Sequence, residues 1–450
     1  MKLNYRRTIL IGFAFLSICV FWQFYDNEIP KILTYTFGLG ETATGAIMAL
    51  DNVLALFMLP LFGTLSDKTD TKIGKRMPYI LIGTALSAVF LFLLITVGNK
   101  PGNVVIFIVL LLALLISMGI YRSPAVSLMP DLTPAPLRSS ANAIINLMGT
   151  VGAIYALVMI KLLLHDAEDQ SQTDYFPLMM SIVIFMVAAV VILYFTINEK
   201  KVKNIVAVEY PEYASNDADN TSNDLLDNGD NKTEDKSDMI VNTEIEAMPS
   251  DVKKSLICIL LSVFFWYTAY NAVTTAFSRY VGEVWGLKNG AYADCLMIAT
   301  VAAVISYIPI GVISSKIGRK KTILIGVVLM SICYLVAALI PSFNSSISFL
   351  FAVIGFGWAA INVNSYPMVV EMSKSSDIGK YTGTYYTFSM AAQVFTPIFS
   401  GFLLEHISYR TLFPYAFTFS CLAFITMMMV KHGDSRPDKK KNKLENFEEM

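Results

Sequence analysis

Apolar positions in this chain come in long unbroken blocks. They do not alternate as in strands or recur as one stripe as in surface helices. The blocks fall at 8–35, 42–64, 77–98, 103–122, 138–162, 176–197, 255–280, 289–314, 322–341, 345–370, 379–404 and 409–431. At about 1.5 Å per helical residue, each is long enough to cross roughly 30 Å of hydrocarbon. The pattern predicts an all-α membrane protein of twelve transmembrane helices. Between the second and third blocks lies a charged turn, Gly63 to Pro78, GTLSDKTDTKIGKRMP, and a reduced form returns at Gly311 to Lys321, GVISSKIGRKK. A charged turn repeated at matching places predicts two pseudo-symmetric six-helix bundles, 1–197 and 255–431.

Residues 198–254 break the hydrophobic pattern, with 14 acidic and 7 basic residues among many Asn, Ser and Thr. Such a stretch buries too little apolar surface to fold alone, so it reads as a flexible linker, and 432–450 as a polar tail. Lysines and arginines orient the chain. They gather at Lys2, Arg6, Arg7, at Lys68 to Arg76, at Lys200 to Lys203, at Lys316 to Lys321 and from Lys431 onward, while the opposite ends carry few. That bias predicts a multi-pass protein of the cell membrane with both termini cytoplasmic. The opening MKLNYRR and the apolar run after it resemble a signal peptide, but no small-residue cleavage site follows, and the run reads as a retained first helix.

Composition agrees: of 450 residues 55% are hydrophobic and only 15% charged, against about 25% charged in a soluble domain. The net charge of -1 gives no support for nucleic-acid binding, and the basic tail reads as solvated juxtamembrane sequence beside lipid headgroups. Five scattered cysteines show no disulfide or ligand spacing, and three histidines have no metal-ligand partners nearby. No phosphate-binding GxxxxGK[ST] stretch and no nucleophile–base set is present, so neither an enzyme, an ATP-driven pump nor a metal or cofactor site is expected.

Function then rests on polar side chains inside the spans, which are costly unless paired or facing water. Asp51, followed by Asn52, lies about nine residues, or roughly 14 Å, from the outer end of the second span. It is the first candidate for a buried proton-carrying group, with a structural carboxylate as the alternative. Asp26 in the first span is a second candidate and Asp294 in the eighth a third. Residues suited to a neutral polyhydroxylated ligand are Trp22, Gln23 and Asn27; Asn142 and Asn146; Trp266, Tyr267, Tyr270 and Asn271, which share a stripe with Thr274; Trp358 and Asn362; and Tyr385 and Gln393. Rings would stack on a sugar face while amides bond its hydroxyls. Lipid-interface aromatic belts account for some of these rings. Arg279 and Glu283 read either as an outer gate or as a wet interfacial pair. Arg122 and Glu371, placed at the inner ends of the fourth and tenth spans, read as an intracellular gate or as static surface charges.

At GTLSD followed by GKR the chain resembles the signature loop of the major facilitator superfamily. The ending GKRMPYI and the segment YRSPAVSLMPDLTPAPLRSSANA at 121–143 look like the sucrose/H+ symporters and related glycoside–cation symporters. In that segment the family's recurring arginine, aspartate, second arginine and asparagine fall at Arg122, Asp131, Arg138 and Asn142. The resemblance implies a conformational latch. In it Gly63, Asp67, Gly74, Lys75 and Arg76 form the first loop, and Gly311, Gly318 and Arg319 the second. Asp67 would hold the outward-facing state, and Arg122, Asp131, Arg138 and Glu371 would belong to the same inner machinery. Ser315 stands where a second aspartate is expected, which implies a weaker C-terminal latch. The reading is a monomeric secondary transporter for a sugar, a disaccharide or small glycoside, taken up with H+ (Na+ being the alternative ion) by alternating access. Rival readings are a carrier or exporter of another solute, and a membrane sensor or scaffold without turnover.

Overall fold

The computed structural model describes residues 3–434 except 99, 101, 135–136, 165–169, 210–248, 288–289, 345 and 373–377. Twelve helical stretches in it are long and apolar enough to cross a membrane, from Tyr5–Thr36 to Tyr409–Met429. The helices are α1 (Tyr5–Lys31), α2 (Glu41–Met48), α3 (Leu50–Lys68), α4 (Met77–Leu93), α5 (Val104–Asp131), α6 (Arg138–Leu163), α7 (Phe176–Thr196) and α8 (Glu199–Glu209). They continue with α9 (Ser250–Trp285), α10 (Ala291–Ile317), α11 (Arg319–Leu339), α12 (Ser346–Glu371), α13 (Ile378–His406) and α14 (Leu412–Met429). Their outward surfaces carry bare apolar side chains such as Phe57, Val105, Ile184, Ile308 and Phe349. A helix can show such a face to lipid because its backbone groups are satisfied internally.

The second span differs from the single helix expected. It is two helices, α2 and α3, joined at Ala49. The break falls immediately before Asp51 and Asn52, where helix ends free backbone groups. The polar linker also starts later than expected. Residues 199–209 form α8, because Val202 is buried, Val206 packs on the core and Glu199 is buried. The rest of the linker through 248, His165, and the tail beyond Asp434 lie outside the described residues.

Within the first half α1 packs mainly on α6 and α7, and α4 on α5; within the second, α10 and α11 pack on α12, and α9 and α11 on α14. Small residues permit the closest crossings. A Cβ at Gly152 would run into the Leu16 backbone of α1, and one at Gly355 into the Ala299 backbone of α10. These play matched roles in the two halves, as close helix packing in membranes requires. The halves meet through α2 against α13, α6 against α10 and α1 against α9.

Candidate substrate and ion site

A cavity of about 250 Å³ lies between the halves, lined by Trp22 and Asp26 of α1, Met48 of α2, Asp51 and Asn52 of α3, and Arg122 of α5. The other half contributes Asn271, Thr274 and Thr275 of α9, and Gln393 and Pro397 of α13. Spacing explains the lining. Residues three or four apart share a helix face, and the pairs 22/26, 271/275 and 393/397 each present one face. Asn52 donates through Nδ2 to Asp51 Oδ1 at 2.6 Å. Thr275 donates to the Asn271 carbonyl at 2.7 Å, and Gln393 to the Ser389 carbonyl at 3.3 Å. Two lining donors have no partner although buried: Trp22 Nε1 and Asn271 Nδ2. Buried donors are rarely left so without a ligand or water to take them up.

Arg122 corrects the sequence reading. It was placed at the inner end of its span, but α5 runs on to Asp131, about nine residues or 13 Å further. Its guanidinium therefore sits in the cavity, 5.2 Å from the Trp22 ring centroid. Among the described residues it makes no ion pair, although its charge acts on both Asp26 and Asp51. Two carboxylates and one guanidinium thus share one chamber.

The other candidates are dispersed. Asn27 is buried beside the cavity and donates to the Gln23 carbonyl at 2.8 Å. Trp266 is 1% exposed, within the core of the second half. Tyr270 stacks on Trp358 at 3.8 Å, with Tyr267 edge-on to the same indole, and Tyr385 bonds Ser365 at 2.9 Å. Asn362 is half-buried in α12, and Asn142 and Asn146 are exposed on α6. Asp294 is not in the cavity: it pairs with Lys161 at 2.7 Å across the outer seam.

That seam closes the outer ends of the two halves. Arg279 Nε donates to both oxygens of Glu41 at 2.9 and 3.0 Å, and Tyr409 donates to Glu41 at 2.6 Å. The Thr42 amide donates to Glu405 at 2.8 Å and Tyr35 to Glu283 at 3.1 Å. Tyr292 donates to Glu28, whose other oxygen holds Lys31 at 3.1 Å. A Cβ at Gly45 would strike the Pro397 backbone. So Arg279 and Glu283 do not pair with each other; each faces a residue of the other half. Sequence reasoning did not single out Glu41 and Glu28, because their partners Arg279 and Tyr292 lie on the other half.

At the inner ends, charge clusters stay within each half. Arg76 Nε donates to Asp131 at 2.8 Å and Nη1 to the Gly63 carbonyl at 3.2 Å, and Arg76 also bonds Asp67 and Ser66. Lys75 lies 3.2 Å from Asp131 and 3.6 Å from Asp67. Glu199 accepts from the Lys75 and Arg76 amides at 3.0 Å each, a carboxylate at the positive end of α4. Gly74 takes a φ of +120° to form that turn, which glycine alone adopts cheaply. In the second half Arg319 pairs with Glu371 at 2.5 Å and Asp434 accepts from the Lys320 amide at 3.1 Å, after Gly318. Ser315 donates to its own helix at the Val312 carbonyl, 2.7 Å. Gly311 lies inside α10, which runs to Ile317, so the second turn is confined to Gly318, and the Arg138 side chain lies outside the described residues. Among the described residues the ion pairs that join the halves all lie in this seam, at the span ends opposite the termini, so this conformation is closed there.

The model of the family described as MFS/sugar transport protein matches residues 10–222, and that described as Major Facilitator Superfamily matches 257–448. The chain belongs to the major facilitator superfamily. The superfamily chain is similar to the lactose permease of Lactobacillus helveticus, 34% identical over 79 residues, 17% of this chain and 12% of that protein. It is similar to the isoprimeverose transporter of Lactiplantibacillus pentosus, 24% identical over 192 residues, 42% of this chain and 39% of that one. The matched stretches thus span well under half of either relative. Its fold matches the inward-open xylose transporter XylE from E. coli, with TM-score 0.66, 15% identity and 99% of both chains covered. It also matches a nucleoside transporter, with TM-score 0.66, 17% identity, and 95% and 100% covered. These proteins are transporters, and this superfamily chain is not an enzyme.

Proposed function

We propose that this chain is a secondary carrier that takes up a sugar, a disaccharide or small glycoside, together with H+. The observation that carries the reading is the single chamber where Asp26, Asp51 and Arg122 of one half face Asn271, Thr274, Thr275 and Gln393 of the other. The second face is neutral and polar, suited to hydroxyls; the unpartnered Trp22 and Asn271 donors await acceptor oxygens. The sugar relatives support the substrate class. A cavity of about 250 Å³ has room for a sugar ring.

Coupling follows from charge. The titratable groups lining the chamber are Asp26, Asp51 and Arg122; with both carboxylates ionised they sum to one negative charge. Closing that charge into a dry chamber costs several kcal/mol. One proton on either carboxylate cancels it, so the loaded, protonated carrier reorients and the unprotonated loaded one does not. Proton and sugar then raise each other's affinity. The halves rock about this site, the outer seam parting as the inner ends meet, with the termini on the cytoplasmic side of the cell membrane.

The test uses purified protein in liposomes with a panel of labelled mono- and disaccharides, with and without an inward proton gradient, beside D51N and D26N. Gradient-driven accumulation of one sugar, lost in at least one variant, is the expected result. Accumulation unchanged in both variants removes the coupling role. No sugar moving into well-folded wild-type liposomes leaves a carrier of another solute or a non-transporting sensor.

A further inference from the structure

Resting on the reading of this chamber as the ion site, we infer that Arg122 sets the ion selectivity, admitting H+ and excluding Na+. Either ion would cancel the excess negative charge, so charge alone does not decide between them. Coordination does. A metal cation needs a shell of several oxygens around it, whereas a proton needs only one carboxylate oxygen.

On its own half Asp51 is faced by N–H donors, and the Asp26 carboxylate is the other anionic oxygen donor lining the chamber. Asn52 already presents its NH2 to Asp51 Oδ1 at 2.6 Å. Arg122 and Trp22, both lining the same chamber, offer further N–H groups, and Trp22 Nε1 is buried without a partner. On the far side of Asp51 a second void of about 10 Å³ is bounded by Trp22, Arg122 and otherwise by Leu54, Ala55, Met58, Leu59, Leu115 and Gly119. That volume holds about one water molecule, and its apolar wall supplies no cation ligand. A water there accepts from Trp22 or Arg122 and donates to Asp51. The hydroxyl and amide oxygens of Thr274, Thr275 and Gln393 belong to the opposite half, across the chamber.

Arg122 takes up the remaining space with donors. It lies over the Trp22 ring at 5.2 Å and, among the described residues, forms no direct ion pair. Its positive charge opposes a proton as well as a metal ion, so the discrimination comes from ligands. A metal ion in the chamber gains no oxygen from the guanidinium's N–H groups, whereas a proton needs none beyond the carboxylate oxygen it sits on. A proton on a carboxylate oxygen keeps an acid that still hydrogen-bonds its neighbours. Selectivity therefore comes from a residue that need not touch the ion.

The experiment reads cation binding without any sugar, so it stands apart from the uptake assay. Radiolabelled Na+ is titrated by equilibrium dialysis into the purified full chain, wild type, R122Q, R122K and R122Q/D51N, with thermal unfolding as a check on folding. Wild type and R122K show no saturable Na+ binding. R122Q gains it, and the gain vanishes in R122Q/D51N. Saturable Na+ binding by wild type overturns the inference, and so does a folded R122Q that still binds none. Where R122Q fails to fold, the wild type decides. Its proton uptake must be equal in NaCl and choline chloride, and proton release specific to Na+ overturns the assignment. Sugar uptake driven by protons alone, with Na+ excluded, leaves the carrier reading intact whatever R122Q does.

Discussion

Replacing Glu41 by Gln removes the anion at the centre of the outer seam. Glu41 and Arg279 side chains are 3% and 6% exposed, and the pair is bridged at 2.9 Å. Tyr409 donates to the same carboxylate at 2.6 Å and Thr34 at 3.3 Å. Breaking one partner of a buried pair costs about 3–5 kcal/mol, because the other charge is left unpaired. The two groups sit on opposite halves, so the loss falls on the outward-closed state and hardly on a state with the seam parted. A shift of about 3 kcal/mol moves the equilibrium toward the outward-open state by roughly a hundredfold. The remaining seam contacts oppose the shift without scaling with it. Ser278 is 5% exposed in the seam and donates to the Asn27 carbonyl at 3.3 Å. S278C in a background free of other cysteines is therefore a reporter for a membrane-impermeant thiol reagent added outside. E41Q raises its labelling rate at least tenfold, and the paired apolar change E41L/R279L raises it far less, because no orphan charge remains. Equal labelling in folded E41Q and wild type refutes the reasoning.

Four other outcomes follow from contacts elsewhere in the fold. R76Q lowers thermal stability by about 2–4 kcal/mol, because a 5%-exposed guanidinium loses Asp67, Ser66, Asp131 and the Gly63 carbonyl together. R319Q costs under about 1 kcal/mol, since its pair with Glu371 is 32% and 28% exposed; equal losses in thermal unfolding would contradict this asymmetry. D294N changes transport and stability little, about 1 kcal/mol at most, because Lys161 and Asp294 are 52% and 38% exposed; abolished proton coupling in D294N would return it to the ion site. G152V fails to assemble the first bundle, since any Cβ there meets the Leu16 backbone, and wild-type expression and melting of G152V would show that α1 and α6 can separate.

The spans were legible because a membrane imposes one severe rule, about twenty apolar residues per crossing. Charged turns at Gly63 and Gly311 carried the two-bundle reading by their spacing alone. The cavity was half legible. Trp22, Asp26, Asp51, Asn52, Asn271 and Gln393 stood out as polar groups where polarity is costly, and six of the lining residues are these. Arg122 was visible but misplaced in depth, because Pro124 and Pro130 made the end of α5 look earlier than it is; both prolines lie inside the helix. Glu41 and Glu28 were invisible as functional groups, since their partners lie hundreds of residues away on the other half. Asp294 had the right chemistry and the wrong neighbour. The start of the linker concealed α8 because acidic and basic residues outnumber the two valines that hold it down.

In the proposed cycle one proton neutralises the chamber for each sugar carried. The most direct measurement adds the transported sugar to lightly buffered liposomes and follows external pH together with sugar entry. The expected result is alkalinisation outside in step with uptake, one proton per sugar, abolished in D26N or D51N where coupling is lost. Sugar entry with no proton movement, or proton movement that persists unchanged in both variants, would contradict it.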